Sequence, residues 1–231
     1  MEYKFIDCYC SFDEPEYPVE GVSYKKEDIR RKLEDINVNK AFCFNNKGDN
    51  SKTTSDDFFI ASYTLDTSCD MNEFEKLFKV YNAKMININP VFSLDLFGDD
   101  AYKAYFSVMD KYKAVITLNV RMATKENLTN ILENYKNIKI IVVGIGFTDI
   151  LHIIDLMKKY DNLYIDTSFT SISGLENIIK AVGSERIVFS SYMPEAAPSG
   201  HLGRIILLSG SDEEKENIAY KNISLITGVE I

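Results

Sequence analysis

The stretch IKIIVVGIG at residues 138–146 is an almost uninterrupted apolar run. Two related runs follow it, NLYIDTS at residues 162–168 and GSERIVFSSYMP at residues 183–194, and amphipathic helical patterns separate the three. Parallel strands that are buried on both faces read as continuous apolar runs rather than alternating ones. Strands that alternate with helices in this way predict repeated βα units.

The same alternation extends over the whole chain. Strand patterns lie at residues 3–10, 40–45, 84–89, 114–119, 138–144, 162–167 and 186–191. Helical patterns lie at residues 26–36, 71–82, 100–112, 124–136, 148–160, 173–183, 200–208 and about 212–227. Asp70 and Thr124 are N-cap candidates, and Ser211 with Glu214 three residues later forms a capping box. The units predict a parallel sheet that is covered by helices on its faces.

Two segments do not fit a regular βα pattern. VFSLDLF at residues 91–97 follows a strand pattern directly, and a parallel crossover needs roughly ten or more residues. Either the chain has seven strands, or this segment is an irregular strand or a loop. Residues 45–68 begin with a polar stretch and show no helical period, so we expect a long loop there that could act as a lid. Neither a linker nor an internal repeat is visible, so we expect one domain over residues 1–231.

Bulk composition excludes several classes of partner. The net charge is −9 and the chain has no dense stripe of lysine and arginine, so its field repels nucleic acid and anionic membranes. Its longest apolar runs are far shorter than the ~20 residues that a membrane-spanning helix needs. The N-terminus enters a strand pattern at once, without a signal segment. We therefore expect a cytoplasmic protein with no nucleic-acid and no membrane partner.

The thiols and imidazoles give little support for a metal or redox centre. The chain has only two histidines, His152 and His201, whereas zinc sites of hydrolases use two or three imidazoles. No CxxC motif occurs among the four cysteines, which are Cys8, Cys10, Cys43 and Cys69. Without a secretory context these cysteines do not predict a disulfide framework.

Five segments, in this order and spacing, resemble the amidohydrolase-related family of metal-dependent hydrolases. They are FIDCYCSF at residues 5–12, the three apolar runs described above, and SDEEKENIAYKNISLITGV near the end of the chain. That family typically shows Ile-Asp-x-His-x-His on its first strand and a His near the end of its fifth. It shows Ala-His-x-Gly on its sixth strand and Phe-Gly-Ser-Asp-Tyr-Pro on its eighth. The resemblance implies an α/β, TIM-like (β/α) barrel of seven or eight parallel strands, distorted around the third or fourth βα unit.

The positions of the family's metal ligands hold other residues. Tyr9 and Ser11 replace the first His pair, Leu118 or Asn119 the third His, Gly144 the fourth, and Tyr192 the Asp. The resemblance thus implies a barrel without metal ligands, and we expect no metal and no other cofactor. In the family register Cys8 and Cys10 pack under the helices, with Cys10 beside Cys43 as packing rather than as a bond.

Polar residues at the carboxyl ends of barrel strands are candidates for the site. Strands one and eight must be adjacent for the barrel to close, so Tyr9 and Tyr192 are expected to lie together there. Arg121 is suited to bidentate binding of a carboxylate or phosphate, or else is a surface arginine that pairs with nearby acids. We predict ligand-binding roles for six residues: Tyr9, Ser11, Asn119, Arg121, Ser191 and Tyr192.

Three residues are candidates for acid–base catalysis, Asp166, His201 and Tyr192. Asp166 is a general base or, as we favour, an acceptor for loop amides. His201 opens the helix after the last strand, where the alternative is a solvent-facing residue. A Ser191–His201 pair has no GxSxG elbow to support it.

Three functions are compatible with these residues. The leading one is a barrel without its metal that serves as a non-hydrolytic small-molecule-binding or regulatory protein, because nothing would lower the pKa of an attacking water. The alternative is a metal-independent hydrolase or lyase that acts on a small anionic substrate at the barrel mouth. A third is an interaction protein that uses a surface rich in tyrosine and phenylalanine. Whether the chain is an enzyme stays open, as does assembly into a homo-oligomer.

Overall fold

The computed structural model describes residues 3–89, 101–146 and 148–231. In these residues eight parallel strands follow one another around a barrel in sequence order. They are β1 Phe5–Phe12, β2 Val38–Asn45, β3 Phe59–Thr64, β4 Met85–Ile88, β5 Val115–Asn119, β6 Lys139–Val143, β7 Leu163–Asp166 and β8 Ile187–Val188. This is the predicted TIM-type barrel.

The barrel is nearly closed by backbone hydrogen bonds between its first and last segments. β8 is short, and the chain beyond it continues beside β1. The N–H of Cys8 donates to the carbonyl of Phe189 at 3.0 Å, and the N–H of Ser11 donates to that of Met193 at 2.9 Å. Tyr9 and Ser11 on β1 therefore face the chain that carries Ser191 and Tyr192.

Helices surround the sheet in the described residues. They are α1 Lys26–Glu34, α2 Met71–Lys79, α3 Ala101–Lys111, α4 Lys125–Asn134, α5 Ile150–Lys159, α6 Ile172–Val182, α7 Pro198–Ile206, α8 Asp212–Glu216 and α9 Asn222–Thr227. The predicted caps are confirmed: Asp70 accepts from the N–H of Asn72, and Thr124 accepts from the N–H of Asn127. No helix in these ranges has both the length and the apolar character that would let it cross a membrane.

The last predicted helix is confirmed, with a π-helical turn inside it. Ser211 and Glu214 form the capping box at its start, and residues Asn217–Lys221 are π-helical between α8 and α9. The Asn222 amide donates to the carbonyls of Ser184 and Ile187, at 2.7 and 2.8 Å. These bonds hold the end of the chain against the start of β8, at the amino-terminal end of the barrel.

Apolar side chains form two layers because strand residues alternate between the sheet's faces. Phe42 and Phe44 of β2 belong to a cluster inside the barrel. Ala41 and Cys43 of the same strand belong to the larger cluster between sheet and helices. Leu118 of β5 also lies in the outer cluster. Asn119, not Leu118, therefore faces the barrel mouth.

The expectation of a long loop or lid over residues 45–68 is wrong, because β3 lies inside it. β3 pairs with β2 on one side and β4 on the other, and its Ser62 and Thr64 are buried. The connection at residues 46–58 contains a short 3-10 helix, Asn50–Lys52, and no α-helix. The Asn50 side chain donates to the carbonyl of Thr64 and accepts from its N–H, both at 2.8 Å. The connection is thus tied to the end of β3.

β3 is the eighth strand that the sequence left undecided. The other candidate, VFSLDLF at residues 91–97, lies outside the described residues. The crossover without an α-helix joins β2 to β3, whereas we expected the irregularity at residues 91–97, after the strand that is now β4. α2 and α3 occupy the crossovers on either side of β4.

A bulge in β1 corrects the placement of Cys8. Asp7 lies opposite Ala41 and Cys10 lies opposite Cys43, so β1 carries one extra residue between these pairs. Cys10 packs in the outer layer beside Cys43, as predicted. Cys8, after the shift, lies in the interior cluster rather than under the helices. All four cysteines are free thiols.

Candidate functional site

A cavity of about 800 Å³ opens to solvent at the carboxyl ends of the strands. Five of the six predicted ligand-binding residues line it together, namely Tyr9, Ser11, Asn119, Arg121 and Tyr192. Its volume falls within the ~300–1,000 Å³ that is usual for small-molecule sites. Barrel geometry alone explains the convergence, because every strand of a parallel barrel ends at the same face.

Aromatic rings form one wall of this cavity. The rings of Tyr9 and Tyr192 stack with centroids 5.1 Å apart and 29° between their planes. Phe44 packs against Tyr9 with a centroid distance of 4.8 Å. Phe169 meets Tyr192 edge-on, also at 4.8 Å. The expected proximity of Tyr9 and Tyr192 is confirmed.

Tyr192 adopts a left-handed backbone conformation, with φ of 55°. This conformation is uncommon for a bulky residue, and such residues cluster at ligand sites. Burial raises the pKa of the Tyr192 phenol to about 12, with Asp166 and Glu195 adding to the effect and Arg121 opposing it. The phenol is therefore protonated at neutral pH, where it is a hydrogen-bond donor and not a base.

Arg121 presents an exposed guanidinium to the cavity. Its backbone N–H donates to the Asn119 side chain at 3.0 Å, which holds the turn after β5. Within the described part of the chain the guanidinium has no ion pair, so the alternative of a surface arginine paired with neighbouring acids is not observed. Lys47, on the same wall, is instead paired with Asp13 at 3.4 Å.

Ser191 does not line the cavity, because its hydroxyl and its N–H are both turned toward Asp7. The hydroxyl donates to Asp7 Oδ2, and the Ser191 N–H donates to Asp7 Oδ1 at 2.9 Å. The N–H of Tyr9 reaches the same oxygen at 3.0 Å. Burial raises the pKa of Asp7 to about 7, although the hydrogen bonds from Ser191 and Tyr9 oppose this. Asp7 thus joins β1 to the segment after β8 and positions both tyrosines.

Asp166 lies below the cavity and not on its wall. It is fully buried, and its Oδ1 accepts from the N–H of Gly144 at 3.0 Å, as the loop-amide interpretation predicted. Burial raises its pKa to about 6, while Ser168 and the Gly144 amide oppose the rise. Among the described residues no donor meets its Oδ2 with full hydrogen-bond geometry, although the Ser168 and Ser190 hydroxyls lie close enough to lower its pKa.

His201 is buried behind Phe169, so the alternative of a solvent-facing residue is wrong. The side chain is 5% exposed, and its ring lies 6.4 Å from that of Phe169, which lines the cavity. Burial, with a smaller contribution from Arg204, lowers the pKa of His201 to about 4. Its Nδ1 has no hydrogen-bond partner in the part of the chain that the structure describes, and the Ser191 hydroxyl donates to Asp7, so Ser191 and His201 do not form a pair.

The comparison with known proteins places this barrel in a family. A family profile described as amidohydrolase matches residues 71–223, which is more than half of the chain. The chain belongs to the amidohydrolase family. No curated protein matches its sequence.

Solved structures share the fold at low sequence identity. A 5-carboxyvanillate decarboxylase from Novosphingobium aromaticivorans, with manganese and 4-hydroxy-3-methoxy-5-nitrobenzoic acid bound, superposes with a TM-score of 0.77 at 11% identity, covering 98% of this chain and 96% of its own. A 2,6-dihydroxybenzoate decarboxylase from Rhizobium gives 0.72 at 11%, covering 98% and 99%. An amidohydrolase from Burkholderia multivorans gives 0.76 at 9%, covering 98% and 100%. At these identities the likeness shows the fold alone.

The donor set of this amidohydrolase-family barrel does not fit the family's metal centre. The ligand positions hold Tyr9, Ser11, Asn119, Gly144 and Tyr192, and two of these side chains stack on each other. Among the described residues, no cluster of three or more His, Cys, Asp or Glu side chains is arranged to hold a metal. Neutral phenols, a hydroxyl and an amide are poor ligands for transition metals, which favour imidazole, thiolate and carboxylate.

Sequence reasoning missed several residues of the wall. Phe44 and Phe169 were not singled out, although Phe44 shares its strand face with Phe42 and could have been found from that alternation. Glu16 also lines the cavity, from a loop where no periodic pattern indicates the direction of a side chain. Glu195 lines it too, and its place just after the last strand did indicate the strand-end face.

Proposed function

We propose that this amidohydrolase-family barrel binds a small anionic molecule at its mouth and does not hydrolyse it. The observation that carries the proposal is the Arg121 guanidinium, which makes no ion pair with any described residue and lies on the wall of an open cavity beside the stacked rings of Tyr9 and Tyr192. Arginine offers a fork of donors that matches a carboxylate, and the rings offer apolar area to a planar ligand. An open cavity also supports this reading over a purely structural role.

The positions of the acid–base candidates support binding rather than hydrolysis. Asp166 and His201 do not line the cavity, and the phenol of Tyr192 keeps its proton at neutral pH. A hydrolase must activate a water molecule, by a metal or by a base within hydrogen-bond reach. None of these three side chains offers a base on the cavity wall.

A metal-independent lyase is the second candidate, and one observation favours it. Glu195 lines the cavity, and a carboxyl group in that place is a candidate for exchanging a proton with a bound substrate. Two neighbours with this fold are decarboxylases named for aromatic acids, 2,6-dihydroxybenzoate and 5-carboxyvanillate. The two candidates share the same anion site and differ only in turnover.

The test is binding of simple aromatic carboxylates to the wild-type protein and to Arg121→Gln. Because Arg121 is exposed, its contact with a carboxylate should contribute about 1 kcal/mol, a roughly fivefold change in Kd. Calorimetric titration with benzoate and 2,6-dihydroxybenzoate measures it. Arg31→Gln, an exposed arginine on α1, is the matched control and should bind as the wild type does.

The outcomes separate the candidates. Binding that weakens in Arg121→Gln and leaves the ligand unchanged after prolonged incubation supports a binding protein. Loss of carbon dioxide from 2,6-dihydroxybenzoate in metal-free buffer, abolished by Glu195→Gln, would favour the lyase. Equal binding by wild type and Arg121→Gln, or none by either, would overturn the anion site.

A further inference from the structure

We infer that the ligand is zwitterionic, with its carboxylate at Arg121 and a protonated amine against Glu195 and the neighbouring tyrosine rings. This inference rests on the proposed function, because it adds a second charged contact to the same cavity. The inference narrows the ligand from any small anion to a compound that carries both a carboxylate and an ammonium group on or near an aromatic or apolar group. Aromatic amino acids and aminomethyl-benzoates belong to this class.

The first support is that the cavity carries charges of both signs that form no ion pair among the described residues. Neither Arg121 nor Glu195 makes an ion pair in the described part of the chain, and they do not pair with each other although both line the cavity. Lys47 on the cavity wall is already paired with Asp13 at 3.4 Å, and Asp13 also pairs with Lys52 at 3.6 Å. Arg121 and Glu195 can therefore each bind the opposite charge of a zwitterionic ligand.

The second support is that a ligand with only negative charge would meet repulsion here. Glu16 and Glu195 both line the cavity, and the whole chain carries a net charge of −9. A carboxylate bound at Arg121 therefore enters a field that disfavours it. An ammonium group on the same ligand cancels this repulsion and supplies a partner for Glu195.

The third support is the arrangement of the rings. Phe169 and Tyr9 both pack on Tyr192, which gives a wall of aromatic faces and edges beside Glu195. The face of an aromatic ring attracts a cation, most strongly where water is displaced. Glu195 acts electrostatically on the phenols of both Tyr9 and Tyr192, as expected for a carboxylate close to these rings. An ammonium group placed there would touch a carboxylate and a ring together.

The experiment compares four probes on one cavity: benzoate, benzylamine, L-phenylalanine and 4-(aminomethyl)benzoate. The two zwitterions differ in the separation of their charges, so they sample two spacings between a group at Arg121 and a group at Glu195. Each probe is titrated by calorimetry into the wild-type protein, Arg121→Gln and Glu195→Gln. Glu20→Gln, which removes an exposed carboxylate away from the cavity wall, is the control.

We expect one zwitterion to bind the wild type about tenfold more tightly than benzoate does. Glu195→Gln should lose that advantage and still bind benzoate at least as well as the wild type does. Arg121→Gln should weaken both benzoate and the zwitterion, and Glu20→Gln should change neither.

Two results would overturn the inference. The first leaves the proposed anion site standing, and the second rules out the anion site as well. If benzoate binding depends on Arg121 but neither zwitterion binds more tightly than benzoate, the second charge is wrong and the anion site stands. If benzylamine alone binds, with dependence on Glu195, the site takes cations, and the proposed anion site falls as well.

Discussion

The ring of Tyr9 on β1 stacks on that of Tyr192 beyond β8, with 5.1 Å between centroids and 29° between planes. By the resemblance of the sequence to the amidohydrolase family, these two residues replace metal ligands of the first and last strands. A stacked aromatic pair thus occupies the seam where the barrel closes. The pairing of β1 with the chain beyond β8, which completes the barrel, therefore also brings together the two rings that line the cavity.

Replacing Tyr9 by alanine should destabilise the fold. The side chain is 6% exposed and packs between Phe44 and Tyr192, so its loss leaves a void that costs about 3 kcal/mol of unfolding free energy. Tyr9→Phe keeps the ring and should cost under about 1 kcal/mol. Urea denaturation measures both. A Tyr9→Ala protein as stable as Tyr9→Phe would mean that the ring is not packed as described.

The purified protein should carry no stoichiometric zinc, iron or manganese. The reason is chemical, since the ligand positions hold two tyrosines, a serine, an asparagine and a glycine. Elemental analysis of protein prepared without chelator is the measurement, with thermal unfolding before and after EDTA as a second readout. About one transition metal per chain, lost together with thermal stability on chelation, would contradict the absence of a metal centre.

The sequence predicted seven of the strands because their residues are continuously apolar, as in KIIVV of β6. It missed β3, whose Ser62 and Thr64 are polar and yet buried inside the barrel. Their burial is set by pairing with β2 and β4, which a local pattern cannot reveal. Tertiary context overrides local propensity in such strands.

The residues of the candidate site that lie at strand ends were predictable, because all strands of a parallel barrel end at the same face. Tyr9 and Tyr192 followed from closure of the barrel. The positions of Ser191 and His201 did not follow from it, because side chains no longer alternate between two faces beyond the end of a strand. Ser191 is turned toward Asp7, and His201 is covered by Phe169. Cys8 was misplaced because one extra residue in β1 shifts the alternation of side chains between the two faces of the sheet.

Asp7→Asn should change how stability depends on pH. The pKa of Asp7 is raised to about 7 in the folded protein, whereas an unfolded aspartate titrates near 4. The folded state therefore keeps a proton that the unfolded state has lost. The stability from this protonated form is fully present below about pH 4 and is lost as the pH rises through about 7. Asparagine does not titrate but can still accept from the N–H groups of Ser191 and Tyr9.

Urea denaturation at several pH values between about 4 and 7 tests this. The stability of the wild type relative to Asp7→Asn should fall by a few kcal/mol across that window. Asp35→Asn, an exposed carboxyl after α1, is the control. A difference between wild type and Asp7→Asn that stays constant with pH would show that Asp7 is ionised throughout.

His201→Leu should reveal a dependence of the opposite sign. Burial lowers the pKa of His201 to about 4, against about 6.5 in an unfolded chain. The neutral imidazole is the form that the fold accepts, so its stability is present above about pH 6.5 and is lost as the pH falls toward 4. Relative to His201→Leu, the wild type should lose about 2 kcal/mol between these pH values. At pH 7 the two should differ by under about 1 kcal/mol, because leucine removes an Nδ1 that no described residue hydrogen-bonds.

In the wild type this loss on acidification partly cancels the gain from Asp7, since the two windows overlap. The separate contributions therefore appear only when each variant is compared with the wild type at every pH. His152→Gln, which removes the chain's other histidine, is the matched control. If wild type and His201→Leu differ by the same amount at about pH 4.5 and pH 7, the imidazole is not buried behind Phe169, and it returns as a candidate group at the barrel mouth.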